Sequence, residues 1–183
     1  MEGDAVLREI EELPKRVFLP IIGPVKGKHL VDAVRRFNVR NVLEVGTLIG
    51  YSAILMASNL PPEGKVVTIE MNPRSAGLAK KNISKAGLAD KIDLHIGNAL
   101  TVIPRVNGRF DMVFLDGTKD EYLEYLKLCE NKLERGGVVL ADNVKMFARE
   151  MRGYLDYVRN SGGYKSEYVD VGFDGVEISA KLF

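Results

Sequence analysis

The sequence of 183 residues contains one cysteine, no tryptophan and almost no net charge. The single cysteine, Cys129, cannot form an intramolecular disulfide, so the chain is no disulfide scaffold and a reducing, cytoplasmic location is expected. Cys129 lies in a segment of helical periodicity and is predicted to be a buried apolar residue. Because 26 basic residues are balanced by 25 acidic ones, the chain lacks the basic excess typical of nucleic-acid binding, and we predict no nucleic-acid partner.

Long apolar runs and a basic leader are also missing. No segment approaches the roughly 18 apolar residues of a membrane span, and Met1-Glu2-Gly3-Asp4 is acidic where a signal peptide is basic. We therefore expect neither a membrane partner nor export by that route. The 46% hydrophobic and 28% charged residues are typical of a folded globular protein, and the length predicts a single domain over residues 1–183.

Short apolar runs alternate with longer segments of helical periodicity, a pattern typical of βαβ units. The apolar runs predict strands that are buried on both faces of a parallel sheet, at Asn41–Val45, Val66–Glu70, Ile92–Ile96, Met112–Asp116 and Val138–Asp142. Helices are predicted at Gly27–Phe37, Tyr51–Ser58, Pro73–Ala86, Glu121–Leu133 and Lys145–Asn160. The helices between strands would form right-handed crossovers.

The C-terminal segment departs from this pattern. Two β-like runs, Tyr164–Val171 and Val176–Phe183, flank Gly172-Phe173-Asp174-Gly175, which is a hairpin signal. We therefore predict an α/β, Rossmann-like methyltransferase fold: a doubly wound, mostly parallel seven-stranded sheet with an antiparallel C-terminal hairpin and helices on both faces. Residues 1–25 are expected to form a short helix and a lead-in segment that covers the mouth of the site.

Ligands of open α/β sheets bind beyond the carboxyl ends of the strands. The first predicted strand is followed there by a loop with Gly46 and Gly50, where glycine permits a tight turn and close approach of a ligand to backbone N–H groups. The second strand ends at Glu70, 20 positions after Gly50, a separation at which a carboxylate accepts hydrogen bonds from ribose hydroxyls. A packing turn and a solvated acid explain these residues about equally well, and the spacing fits nicotinamide cofactors and S-adenosylmethionine (SAM) alike.

Oxygen-bearing side chains end the fourth and fifth predicted strands. Asp116, Asp142 and Asn143 would supply hard oxygen ligands, which suit Mg²⁺ or another divalent cation better than zinc. The alternative is that they cap the following helices. Lys119 stands three residues after Asp116; a partly desolvated lysine beside a divalent cation can act as a general base, although an isolated lysine is more often solvated.

Several stretches together resemble metal-dependent SAM O-methyltransferases of the catechol O-methyltransferase type. They are Lys26–Lys28 with Val31–Val34, Leu43–Gly46 with Gly50–Ala53, Ile69–Pro73, Asp111–Asp116 with Lys119–Asp120, and Leu140–Val144. The resemblance extends from about Lys26 to the C-terminus. It implies that SAM lies over the glycine loop, with contacts from Ile22, Glu44, Gly46, Gly50, Tyr51, Ser52, Glu70, Met71, Gly97, Asn98, Ala99 and Asp116.

The resemblance also implies individual roles. Glu70 would hold the ribose and Met71 the adenine, while Glu44 and Ser52 would contact the methionine part of SAM. Mg²⁺ would be bound by Asp116, Asp142 and Asn143. Lys119 would be the base, and Lys119, Asn143 and Glu167 would contact the substrate, Glu167 through its second hydroxyl. For Glu167, an exposed position on a strand is the simpler alternative.

The sequence differs from this family on both the expected cofactor side and the expected substrate side. Gly117-Thr118 stands where catechol methyltransferases carry an aromatic residue that packs on adenine. Because the chain has no tryptophan, the candidate aromatic walls for the substrate are Phe18, Phe147 and Phe173. The predicted function is SAM-dependent methyl transfer to a hydroxyl of a small, catechol-like molecule by a monomer or homodimer. A nicotinamide-dependent oxidoreductase and a non-catalytic SAM-binding module remain as alternatives.

Overall fold

The structure, a computed structural model, describes residues 2–15 and 18–183. The strands are β1 (Asn41–Val45), β2 (Lys65–Glu70), β3 (Ile92–Ile96), β4 (Phe110–Leu115), β5 (Leu133–Ala141), β6 (Tyr164–Asp170) and β7 (Gly175–Lys181). The α-helices are α1 (Glu2–Glu12), α2 (Gly23–Arg36), α3 (Tyr51–Asn59), α4 (Pro73–Lys85), α5 (Ala99–Val102), α6 (Tyr122–Cys129) and α7 (Arg152–Asn160). Short 3₁₀ turns occur at Leu13–Lys15, Ile103–Arg105 and Lys119–Glu121.

The described strands form one seven-stranded sheet in the order β3-β2-β1-β4-β5-β7-β6. Neighbours from β3 to β5 are parallel, whereas β7 runs antiparallel to both β5 and β6. The predicted fold class is therefore confirmed. The chain order reverses between β1 and β4, and in such sheets this switch point opens a crevice at the carboxyl ends of the strands.

Two apolar layers cover the sheet, because successive strand residues point to opposite faces. Val42 packs into the layer formed with α1 to α4, and Leu43 into the layer formed with α5 to α7. Each fully buried leucine or valine contributes about 1.5–3 kcal/mol relative to an exposed position. Cys129 is fully buried in the second layer, as predicted, and burial raises its pKa to about 12.

Three helix boundaries differ from the prediction by four or more residues. α2 begins at Gly23 rather than Gly27, because Pro24 fits the first turn, where no N–H is needed. α6 ends at Cys129, and Leu133, predicted as helical, starts β5 instead. Residues 144–151 form turns rather than a helix start, since Val144 N–H donates to a carbonyl of the β6–β7 hairpin.

The predicted lead-in forms α1, a 3₁₀ turn and the start of α2, and Phe18, Pro20, Ile21 and Ile22 from it line a cavity at the carboxyl edge of the sheet. Met1, Arg16 and Val17, which also belong to the predicted lead-in, lie outside the described residues. In the described part of the chain, none of the helices has both the length and the apolar character needed to cross a membrane.

Candidate active site

The cavity at the carboxyl ends of β1, β2, β4 and β5 has a volume of about 810 Å³. It brings together most of the predicted site residues: Ile22, Gly46, Tyr51, Ser52, Glu70, Met71, Gly97, Asn98, Ala99, Asp116, Lys119, Asp142 and Asn143. Glu44 and Gly50 do not line this cavity. Gly50 instead precedes α3 in a left-handed conformation, and Glu44 is buried within β1.

The loop after β1 depends on glycine at its first position. Gly46 has φ +98°, and a Cβ at this position would lie 2.3 Å from the carbonyl oxygen of Asp116. Only glycine therefore allows the end of β1 to approach the end of β4 this closely. The loop then borders the cavity through Gly46, Thr47 and Leu48.

Glu70, at the end of β2, is oriented by backbone hydrogen bonds on both carboxylate oxygens. Leu48 N–H donates to Oε2 at 2.7 Å, and Asn72 N–H donates to Oε1 at 2.8 Å. Leu48 adopts a left-handed φ of 49°, an uncommon conformation for a non-glycine residue. Each carboxylate oxygen retains a second acceptor site, so Glu70 can accept hydrogen bonds from hydroxyl groups in the cavity.

Glu44 lies on β1 beneath the glycine loop and is fully buried. Thr68 donates to its Oε2 at 2.5 Å, whereas its Oε1 has no hydrogen-bond partner among the described residues. Burial raises the pKa of Glu44 to about 7, although the hydroxyls of Ser52 and Thr68 oppose this rise; the charges of Asp116 and Glu70 add to it. A buried acceptor without a partner is costly, which suits a position that a donor group of a ligand would satisfy.

Asp116 and Asp142 follow neighbouring parallel strands. Leu115 and Ala141 are paired in the register of β4 and β5, and Asp142 N–H donates to the carbonyl of Leu115 at 3.0 Å. Burial raises the pKa of Asp116 to about 6, opposed by the Lys119 ammonium and supported by the charge of Asp142. Burial likewise raises the pKa of Asp142, and Lys26 opposes that rise. The site thus holds two carboxylates close together at the base of the cavity.

Lys119 points back to the strand end that it follows. Its Nζ donates to Asp116 Oδ1 at 2.8 Å and to the Tyr122 hydroxyl at 2.9 Å. Tyr122 is fully buried, and its hydroxyl donates to the carbonyl oxygen of Asp142 at 3.4 Å. The Lys119 side chain is 18% exposed, so the amine reaches the cavity from a fixed position.

A second lysine at the site was not among the predicted functional residues. Lys26 Nζ, from α2, lies 2.7 Å from Asp142 Oδ1 and 2.5 Å from Asp174 Oδ2. Asp174 also accepts from Asn143 Nδ2 at 2.7 Å and from Met146 N–H at 3.1 Å. Burial alone would lower the pKa of Lys26, but the two carboxylates raise it. Burial acts to raise the pKa of Asp174, yet its hydrogen bonds lower it to about 2.

These two residues were missed for different reasons. Lys26 belongs to a stretch that carries the family resemblance, but the resemblance implies no functional role for this residue. Asp174 stands in the hairpin signal and was interpreted only as a turn residue. A charged residue in a turn is ordinarily solvated, and no local pattern indicates that Asp174 is fully buried.

The structure corrects the prediction for Glu167. This residue lies on β6, an edge strand of the sheet, where its Oε2 accepts from Arg36 Nη1 at 2.9 Å and its side chain is 54% exposed. Successive side chains on a strand point to opposite faces of the sheet, and the side chain of Glu167 points to solvent and not to the cavity. By contrast, Phe18, Phe147 and Phe173 all line the cavity, and Phe18 and Phe173 are strongly exposed at its mouth.

The side chains at the strand ends carry oxygen donors that fit a divalent cation. Asp116, Asp142 and Asn143 offer two carboxylates and one amide, the hard oxygen ligands that Mg²⁺ favours. A cation would offset both the burial of Asp116, which is the main cause of its raised pKa, and the repulsion from Asp142 that adds to it. Over residues 2–15 and 18–183, no group of three or more His, Cys, Asp and Glu side chains is arranged for a metal ion, and this set contains only two such residues.

Comparison with known proteins places the sequence among O-methyltransferases. The O-methyltransferase family model matches residues 4–151. Catechol O-methyltransferase B of Danio rerio is 43% identical over 154 residues, which are 80% of this chain and 58% of that protein. Catechol O-methyltransferase of Niastella koreensis is 36% identical over 148 residues, covering 78% of this chain and 67% of that protein. The chain thus spans less than two thirds of the Danio rerio protein.

A solved structure resembles the whole fold. The O-methyltransferase TomG from Streptomyces achromogenes, involved in tomaymycin synthesis and solved in complex with SAM, superposes with a TM-score of 0.89 at 28% identity. The match covers 97% of this chain and 90% of that chain. Because the family model matches most of the sequence and the curated relatives exceed 30% identity, this chain belongs to the O-methyltransferase family.

Proposed function

We propose that this protein transfers the methyl group of SAM to a hydroxyl of a small, catechol-like molecule. The observation that carries this proposal is one cavity that contains both the glycine loop with Glu70 and the acidic strand ends with Lys119. A methyl donor and its acceptor need such a shared space. The names of the curated relatives and the SAM in the TomG structure support the same reaction.

SAM would occupy the part of the cavity above the glycine loop. Glu70, held by two backbone N–H groups, would accept from the ribose hydroxyls, and Met71 and Asn98 would flank the adenine. Ser52 and the unpartnered oxygen of Glu44 would lie toward the methionine part. The ammonium group of SAM would donate a charge-assisted hydrogen bond to the buried carboxylate of Glu44 and compensate its negative charge.

Asp116, Asp142 and the amide oxygen of Asn143 would hold Mg²⁺ or another divalent cation. Such an ion supplies Lewis acidity, which lowers the pKa of a neighbouring hydroxyl and orients a pair of vicinal oxygens. These three residues follow two adjacent strands of a rigid sheet, so their positions are set before any ligand arrives. Phe147 and Phe173 offer apolar walls for a flat ring beside them.

Lys119 would act as the general base. In its neutral form, the Nζ lone pair takes the proton of the acceptor hydroxyl, and the oxygen attacks the methyl carbon of SAM in line with sulfur. One C–O bond forms, one C–S bond breaks with its electron pair passing to sulfur, and S-adenosylhomocysteine leaves. Lys119 then returns the proton to solvent. Asp116 and Tyr122 fix the amine during these steps, so catalysis depends mainly on positioning.

The proposal is tested by titrating SAM by calorimetry into chelator-treated protein and then adding catechol with or without Mg²⁺. We expect SAM to bind, and S-adenosylhomocysteine to form at least about 100-fold faster with Mg²⁺, because a Lewis acid contributes several kcal/mol. The Asp142→Asn variant should bind SAM and lose the Mg²⁺ response. Binding of SAM without turnover of any diol would favour a binding module, and turnover unaffected by Mg²⁺ would remove the metal from the proposal.

A further inference from the structure

Three segments that are distant in the sequence meet beneath the acidic strand ends. Lys26 comes from α2, Asp142 and Asn143 follow β5, and Asp174 lies in the turn before β7. Lys26 and Asp174 are 148 positions apart and are 7% and 0% exposed. We refer to these two residues as the Lys26–Asp174 pair.

One oxygen of Asp174 serves two of the proposed ligand positions. Asp174 Oδ2 accepts from Lys26 Nζ and from Asn143 Nδ2, and Lys26 in turn contacts Asp142 Oδ1. A carboxylate only accepts hydrogen bonds, so the amide of Asn143 must turn its nitrogen toward Asp174 and its oxygen away from it. Met146 N–H, bound to Oδ1, prevents Asp174 from rotating.

The stability of the fold does not account for this pair. The attraction between two buried charges roughly offsets the free energy lost when both are removed from water. Well-packed apolar residues of similar volume often stabilise a core as well or better. The backbone of Asn143 also adopts the left-handed conformation, with φ at 65°. Non-glycine residues in this region cluster at functional sites, where surrounding contacts fix the residue.

We propose that Asp174 is a positioning residue for the divalent-cation site: it turns the amide oxygen of Asn143 toward the cavity and, through Lys26, fixes the carboxylate of Asp142. This inference rests on the proposed function. It assigns to the hairpin turn a role beside that of the strands, because Asp174 lies in this turn. Groups that orient metal ligands typically contribute 10–100-fold to metal affinity.

The test measures Mn²⁺ binding to the full chain after chelator treatment, by electron paramagnetic resonance of the free ion, with SAM affinity and melting temperature in chelator measured in parallel. Asp174→Asn should weaken Mn²⁺ binding by about 10–100-fold and change the Kd of SAM by less than about threefold. The matched control is Asp170→Asn, which removes an exposed acid of the same hairpin that pairs with Lys145, and it should bind Mn²⁺ as the wild-type chain does.

A second variant keeps the test decisive if Asp174→Asn does not fold. Asp174→Ser keeps a small polar side chain in the turn and leaves the Lys26–Asp142 ion pair in place. It should still lose about tenfold or more in Mn²⁺ affinity, because one hydroxyl cannot hold Lys26, Asn143 and Met146 N–H together as the carboxylate does. Unchanged Mn²⁺ affinity in a folded variant, with the wild-type chain binding Mn²⁺, would overturn the positioning role alone. A wild-type chain that binds SAM but no Mn²⁺ would overturn this role together with the metal in the proposed function.

Discussion

The two ends of the cavity are built in different ways. The cofactor end comes mainly from the consecutive elements β1, α3 and β2, and the hydrogen bonds to its carboxylates from Leu48 to Glu70 and from Thr68 to Glu44 span 22 and 24 positions. The acceptor end comes from α2, the ends of β4 and β5 and the hairpin turn, and joins Lys26 to Asp174 over 148 positions. At the cofactor end the Glu70 carboxylate is held by backbone N–H groups, and at the acceptor end carboxylates are held by the buried Lys26 and the half-buried Lys119.

Because the two ends are held by different groups, substitutions at each end should change different measured quantities. Backbone N–H groups cannot move without the loop, so the cofactor end is a fixed receptor whose changes should alter affinity. The acceptor end concentrates opposite charges in a buried space, where electrostatic interactions act strongly on developing charge. Changes there should alter the rate of the reaction while leaving SAM binding largely intact.

The largest effect is expected at Lys119, the proposed base. Lys119→Met keeps the length of the side chain and removes the amine, so kcat should fall by about 10²–10⁴-fold, the usual contribution of a general base. The Kd of SAM should change by less than about threefold, because the amine contacts Asp116 and Tyr122 rather than the glycine loop. Steady-state kinetics and calorimetry of the same preparation separate the two quantities.

The matched control is Lys80→Met, which removes an exposed lysine from α4 and should leave kcat unchanged. A Lys119→Met enzyme with wild-type kcat would exclude Lys119 as the base. A large loss of SAM affinity with little loss of kcat would show that Lys119 contributes to SAM binding, which contradicts the assignment of rate to the acceptor end and affinity to the cofactor end.

Much of the fold could be predicted from sequence because its signals are local. The apolar runs of β1 to β5 and the glycines between them encode buried parallel strands within windows of a few residues. The start of β5 at Leu133 was missed because its first residues also continue the helical pattern of α6. The turns at residues 144–151 were missed because they depend on hydrogen bonds to the hairpin.

Some residues of the site could likewise be predicted from local sequence signals, whereas others depend on long-range contacts. Glu70, Asp116 and Asp142 are placed by strand ends, which the sequence marks, and the structure brings all three to one cavity. Asp174 was not recognised because its burial results from packing against α2, a long-range contact that no local pattern encodes. Glu167 was wrongly placed near the substrate, because the register of the edge hairpin decides which face of β6 it occupies.

A smaller effect is expected at Glu70, where the prediction concerns affinity. Glu70→Gln would set an amide NH₂ against the N–H of Leu48 or Asn72, and it removes the charge that strengthens hydrogen bonds to the ribose. The Kd of SAM should rise by about 10–100-fold, since hydrogen bonds to charged groups contribute about 1.5–3 kcal/mol. Mn²⁺ affinity should stay within about twofold. Loss of metal binding in this variant, but not in the exposed control Glu63→Gln, would break the separation of the two ends.

The smallest effect on turnover is expected at Glu44, where the prediction concerns pH and stability without ligand. Burial raises the pKa of Glu44 from its usual 4.5 to about 7 in the folded chain. For a carboxyl with a raised pKa, the stabilising contribution is complete below about pH 4.5 and is lost as the pH rises through about 7. At pH 8 Glu44 is ionised in both states, but only the folded chain buries this charge. Its ionisation therefore destabilises the folded chain at this pH.

Glu44→Gln removes this charge and can still accept from Thr68. Urea unfolding in the absence of SAM should show a gain in the free energy of unfolding of up to roughly 3 kcal/mol at pH 8 and little change at pH 4.5, because one pKa unit corresponds to about 1.4 kcal/mol. SAM should then raise the stability of Glu44→Gln less than that of the wild-type chain, since the ligand no longer meets a buried carboxylate. A gain that is the same at both pH values would contradict the raised pKa and leave packing as its cause.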